Sequence, residues 1–245
     1  MIARTFKSES IKLINSYILY LHVASMIIFP TLLAVFFGIN HYPLKSFVLL
    51  PNFFLVISFV SPVVISIVAS MVNDRETKAG NYKNLLDTSM SPLKVFQSQI
   101  AFYWLLYLIE IILSFAIYGL ILNVVFNVAP FPYFILLGFC ILFSLLALIQ
   151  YEVCFLASYI FGTAGSLVLG FAGLILSALS ETVIFDNVWE FIPWSWQIRS
   201  IAFFQNGTTL NESIHYALLY IFSIIISLVL LFICNKIFSR ILNKN

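Results

Sequence analysis

Charge is what this chain has least of. Only 22 of its 245 residues are charged, 9% of the total, where soluble domains carry about 25%. With 62% hydrophobic residues and a mean hydropathy of +1.06, a water-soluble globule is excluded. Histidine and cysteine are also scarce, three of each. Cys140, Cys154 and Cys234 all sit inside apolar blocks with no pairing or metal-type spacing, so they read as small apolar residues. His22, His41 and His215 are scattered, and no metal site can be argued from them. No segment alternates apolar and polar residues over the roughly ten residues of a barrel strand, which excludes a membrane β-barrel. No glycine-rich loop of the form G-x-x-x-x-G-K-[ST] occurs, so ATP hydrolysis by this chain is excluded.

What is present is long apolar blocks. A helix needs about 20 apolar residues to cross hydrocarbon, and six blocks approach or exceed that: roughly 16–38, 46–72, 95–125, 131–157, 160–181 and 214–238. The expected fold is an all-helical membrane bundle of six spans in a single domain, residues 1–245. Residues 1–15 mix Ile2, Phe6, Ile11, Leu13 and Ile14 with Arg4, Lys7 and Lys12, as an amphipathic helix lying in the membrane surface would. A signal peptide fits less well, because the block that follows is span-length and no small-residue cleavage site follows it. With the N-terminus in the cytoplasm, ten of the twelve Lys and Arg fall on the inner side and only Lys45 and Arg199 on the outer. That asymmetry predicts cytoplasmic termini.

Six charges crowd into 74–87, within "NDRETKAGNYKNLLDTSM". Asn73 or Asp74 can cap a helix, and Ala79, Tyr82, Leu85 and Leu86 then share one face. Ser91 and Pro92 signal the start of the third span. The segment 73–91 therefore reads as a short cytoplasmic amphipathic helix or a solvated connector. On the other side, 182–213 holds three of the four tryptophans. Trp189, Pro193, Trp194, Trp196 and Arg199 predict a segment lying along or dipping into the outer interface. Its two N-x-[ST] matches read as chance in a bacterial protein.

Two further patterns lie within the spans. Gly162, Ser166, Gly170, Gly173 and Ser177 recur at helical spacing, a small-residue face that lets backbones approach closely in lipid, against a second subunit or within this one. Tyr103, Tyr107, Glu110, Ser114 and Tyr118 form one polar stripe. Glu110 at mid-span is costly in lipid, so it faces protein or water, as part of a substrate path, a switchable contact between subunits, or a structural hydrogen-bond knot. Gln150 and Glu152 read as interfacial. The sequence shows no intramembrane His/Asp/Glu cluster or Ser–His pair, which argues against an enzyme.

"ETKAGNYKNLLDTSMSPLKVFQSQI" resembles the signature of type-2 ABC exporter permeases, with Glu76 opening a cytoplasmic helix, then Gly80, the pair Leu85–Leu86, and Ser91–Pro92. "AGNYKNLL" is most similar to the lantibiotic-immunity permeases. "ESIKLINSY" resembles their N-terminal helix, and "WEFIPWSWQIR" resembles their outer "IPWSYP" segment, with Gln197 in place of the second proline. The resemblance implies that Glu76, Gly80, Tyr82, Lys83, Leu85 and Leu86 form a coupling helix seated on a separate ABC ATPase, which binds the ATP and magnesium; no cofactor belongs to this chain. It implies two ATPase copies and a second, heteromeric permease subunit meeting the small-residue face. It also implies export of an amphiphilic peptide, a lantibiotic, from the bacterial cytoplasmic membrane, with no nucleic acid partner. Another amphiphile, or a six-span scaffold with no ATPase, is the alternative.

Overall fold

The computed structural model describes residues 2–40, 46–79, 92–128, 133–205 and 210–242. Among them every regular element is helical: α1 (Ile2–Ile14), α2 (Tyr17–Ile39), α3 (Ser46–Lys78), α4 (Pro92–Phe126), α5 (Tyr133–Leu146), α6 (Leu148–Ser180), two 3-10 turns (Val183–Phe185 and Trp189–Phe191), α7 (Pro193–Gln205) and α8 (Leu210–Leu242). Four described stretches are long and apolar enough to cross a membrane: Tyr17–Ile39, Val48–Lys78, Leu93–Phe126 and Leu136–Ser180. The apolar part of α8, Tyr220–Cys234, is shorter.

The last of the four stretches does not run straight. Gly162 has φ 72° and ψ −169° inside α6, a region open essentially to glycine alone. Gln150 bonds to the Gln197 oxygen that Ser61 also reaches, while a Cβ on Gly173 would lie 2.9 Å from Pro62. A straight helix would hold Gln150 and Gly173 about 35 Å apart at 1.5 Å per residue. Both instead lie beside one turn of α3, so α6 folds back at Gly162 into two arms. The residues before and after Gly162 thus lie on separate arms of one continuous apolar stretch.

The core is aromatic. Phe54 packs against Phe139 (4.7 Å between centroids), Phe143 (5.2 Å) and Phe53 (5.2 Å), and Phe53 stacks against Tyr118 at 4.8 Å. These rings join α3, α4 and α5 with edge and tilted contacts of the favoured kind. The outside is apolar as well: Tyr17, Leu32, Val168, Phe171, Leu228 and Phe232 are all exposed. In water such a surface would aggregate; in a bilayer, lipid covers it at no cost.

One expectation about a helix limit is corrected. Asn73 and Asp74 cap nothing, because α3 continues through them to Lys78. The charges do not break the helix: Asp74 pairs with Lys78 one turn on (2.7 Å), and Thr77 bonds back to the Asn73 carbonyl. On α1, Ile11 and Ile14 point away from the protein, 54% and 67% exposed. The packed face is Phe6, Glu9 and Leu13, with Phe6 edge-on to Phe102 of α4 at 5.5 Å.

Candidate functional site

Three polar assemblies lie within the apolar bundle. The first joins α1, α3 and α4 at the end where α3 finishes. Arg75 donates to Glu9 (2.6 Å), Glu76 (3.1 Å) and the Tyr103 hydroxyl (3.0 Å). Lys12 donates to Glu9 (3.0 Å) and Glu76 (2.8 Å). Two acids and two bases thus close a ring with no net charge. Gln99 extends it to α6 by donating to Glu9 and accepting from Tyr159 (2.8 Å). Burial alone would raise the Glu9 carboxyl, but the Arg75 and Lys12 charges outweigh it and hold Glu9 below its ordinary value. Glu76, only 2% exposed, sits in the last turn of α3, not at the start of a new helix. Its role here is to bind α1.

The second assembly centres on Gln197 of α7. Its Oε1 accepts from Ser61 of α3 (2.9 Å) and Gln150 of α6 (3.1 Å). Its Nε2 donates to the Tyr107 hydroxyl of α4 (3.0 Å) and the Phe143 carbonyl of α5 (3.2 Å). One fully buried amide therefore ties five helices. Only its three-dimensional neighbours reveal why a side chain with both donor and acceptor belongs there. The segment bearing it does more than line an interface. Ser195, Trp196, Gln197 and Ile198 are buried, with the Trp196 indole donating to the Glu190 carbonyl (2.9 Å). Trp189, Pro193 and Trp194 are half-buried. Arg199 pairs with Asp186 at 2.7 Å and lies over the Trp189 ring.

The third assembly is at Glu110. His22 Nδ1 lies 2.6 Å from Oε2, and the Ser25 hydroxyl donates to Oε1; both partners come from α2. The two residues, 88 and 85 positions away, were invisible as partners in the sequence. Their presence corrects the expectation that no intramembrane His/Glu group exists. They do not form a nucleophilic relay: the serine hydroxyl and the imidazole converge on the carboxylate, whereas a triad needs the imidazole on the hydroxyl. Glu110 also lines an open cleft of about 60 Å³ between α2, α3 and α4, together with Ser61, Tyr107 and Ser114. Two other members of the stripe bond to neighbouring helices, Tyr118 donating to the Leu49 carbonyl of α3 (3.0 Å) and Ser114 to the Met26 carbonyl of α2 (3.3 Å).

The small-residue face turns inward. Ser166 donates to the Ser66 carbonyl (3.1 Å) and Ser177 to that of Trp194 (2.9 Å), both hydroxyl-bearing side chains fully buried. A Cβ on Gly170 would meet Ser66 and the Pro62 carbonyl; one on Gly173 would meet the Trp194 indole. These residues seat α6 against α3 and α7 of the same chain, which corrects their assignment to a subunit interface, and Gly162 is the turn rather than part of the face. Glu152, expected near an interface, is fully buried. Of the coupling residues, Gly80, Tyr82, Lys83, Leu85 and Leu86 lie outside the described residues.

A family profile described as "ABC-2 family transporter protein" matches residues 5–173. The match takes in most of α1, all of α2 to α5, the charge ring, the Glu110 cleft and most of α6. Comparison with curated proteins and with solved structures finds no match. Because the profile covers well over half of a helical chain whose apolar stretches are built to cross a membrane, the chain belongs to the ABC-2 family of transporter proteins, membrane permease components that work with an ABC ATPase subunit.

Proposed function

We propose that this chain is the permease subunit of a bacterial exporter that takes an amphiphilic peptide, of the lantibiotic kind, out of the cytoplasmic membrane and so protects the cell. Two ATPase chains supply the energy, and a second permease chain of different sequence completes the pathway. Six spans place both termini and residues 79–91 in the cytoplasm, with 182–213 outside. The family match supports the transporter class, and the ten-to-two basic asymmetry supports the orientation.

The observation that carries the reading is the course of α3. Its helix emerges from the apolar bundle through the charge ring and ends at Lys78, immediately before "AGNYKNLL". A helix that docks on a soluble ATPase needs an apolar anchor row with a polar rim. Tyr82, Leu85 and Leu86 supply the row. Burying such side chains is worth about 1.5–3 kcal/mol each, so Leu85→Asp should release the ATPase in detergent and abolish protection against the peptide, with the permease still inserted at normal abundance. Lys78→Ala should behave as wild type, since Lys78 is exposed and its ion pair among the described residues is with exposed Asp74. Equal ATPase retention by the Leu85→Asp and wild-type chains would sink the coupling assignment.

A further inference from the structure

Glu110 faces no lysine or arginine from the surrounding helices. No lysine or arginine occurs in α2, in residues 46–74 of α3, or in residues 95–126 of α4. The groups that reach it among the described residues are His22 and Ser25. His22 Nε2 is buried with no partner among the described residues. A ring proton on Nδ1 lets His22 donate to the carboxylate, and Nε2 then carries no proton that needs an acceptor. Each carboxylate oxygen accepts one hydrogen bond and keeps a second lone pair. Glu110 also lines the open cleft, whose remaining polar groups are hydroxyls (Ser25, Ser61, Tyr107, Ser114) and whose walls are Phe29, Ile57, Val60, Val64 and Ile111. A carboxyl group with spare acceptor capacity, in an apolar cleft with no lysine or arginine on the helices around it, suits a positive ligand.

We propose that this cleft binds the ammonium group of a cationic amphiphile, with Glu110 as counter-ion and the apolar walls of α2 and α3 against the first carbons of its tail. The cleft admits the ammonium head and its first carbons; the rest of the ligand stays in lipid. This deepens the export reading, on which it rests for the ligand's role as cargo, and it names the cargo's recognised feature as a peptide amine.

The test uses the full chain in phosphatidylcholine nanodiscs without ATPase or nucleotide, and radiolabelled dodecylammonium as probe, corrected for protein-free discs. Wild type should bind it saturably. Glu110→Gln, which keeps size and loses charge, should bind roughly tenfold more weakly, the loss of one charge-assisted hydrogen bond. Val60→Trp fills the cleft without touching the carboxylate and should weaken binding similarly, so the site is tested even where the Gln variant inserts poorly. Dodecanol, with the same chain and no charge, should not compete. Undiminished binding by either variant, or displacement by dodecanol as complete as by unlabelled dodecylammonium, overturns the site. Competition by a Leu/Lys amphipathic peptide assigns the amine to a peptide; competition by lysylated phosphatidylglycerol alone overturns that assignment. Wild-type protection that survives loss of the site leaves the exporter reading standing. Binding by a chain that retains no ATPase would leave the site standing and remove the exporter.

Discussion

Substituting alanine at Gly170 and at Gly138 should have opposite effects on stability, although both glycines lie inside apolar helices. A Cβ at Gly138 meets nothing within 4 Å, and the position is exposed on α5. Alanine there should stabilise by roughly 0.5–1 kcal/mol, the helix-interior cost of glycine. The same propensity gain applies at Gly170, but the new Cβ would sit 2.5 Å from Ser66 Cβ, closer still to Ser66 Oγ, and 2.9 Å from the Pro62 carbonyl oxygen. Ser66 can rotate away only by giving up its bond to the Val63 carbonyl (2.8 Å), a loss of about 1 kcal/mol. The Pro62 oxygen is backbone and moves only if α3 moves. Overpacking of this kind costs about 1–3 kcal/mol, so Gly170→Ala should be net destabilising by roughly 1–2 kcal/mol. Thermal unfolding in detergent, followed by tryptophan fluorescence, reads both variants against wild type. Adding Ser66→Gly should recover part of the loss, because it removes two of the three contacts. Gly170→Ala with wild-type stability but impaired association between permease chains would refute the inward assignment and restore this face to a subunit interface.

Gly162→Ala should lose about 1–3 kcal/mol from backbone strain alone, although space around it is open, and limited proteolysis near the α6 turn would report it. Gln197→Leu strands Ser61 and Gln150, each buried, and should lose on the order of 3 kcal/mol; wild-type stability would mean those groups find other partners. Arg75→Met breaks a buried pair and should cost about 3 kcal/mol at neutral pH, read by hydrogen exchange across α1. Because the Glu9 carboxyl is held below its ordinary 4.5, its contribution is complete above that pH and fades as pH falls through the lowered folded value. In Arg75→Met that acid loss should shrink, since the strongest opposing charge is gone while burial still pushes Glu9 upward.

Helical periodicity made some of this legible. Glu110 and its four companions share one face because they lie on one helix, and the small-residue row does so for the same reason. Periodicity does not say what stands opposite. His22, Arg75 and Gln197 find their partners across 88, 66 and 136 positions, distances over which a single sequence carries no signal. The charges after Asn73 suggested a chain leaving the bilayer and starting anew. The helix instead continues, because Glu76 and Arg75 are neutralised by α1, which a linear reading cannot bring alongside. The inward turn of Ser166 and Gly170 was likewise hidden, since a face that fits a neighbouring subunit and one that fits α3 have the same composition.

The course of α3 has a mechanical consequence. The helix is pinned at Ser61 by the Gln197 amide and at Arg75 by four-charge contacts, positions about 21 Å apart along its axis. Between the pins it is an unbroken rod, and only Pro62, which withholds a backbone donor, offers a soft point beside the upper one. A thrust applied beyond Lys78 therefore cannot dissipate as local bending near the ring. It arrives at the other pin as translation or as a pivot about Pro62. There Gly170 and Gly173 press against the same turn, so the second arm of α6 must move with α3. The strut and its neighbour behave as one stiff lever, whose stroke is limited by the reach of a glutamine side chain.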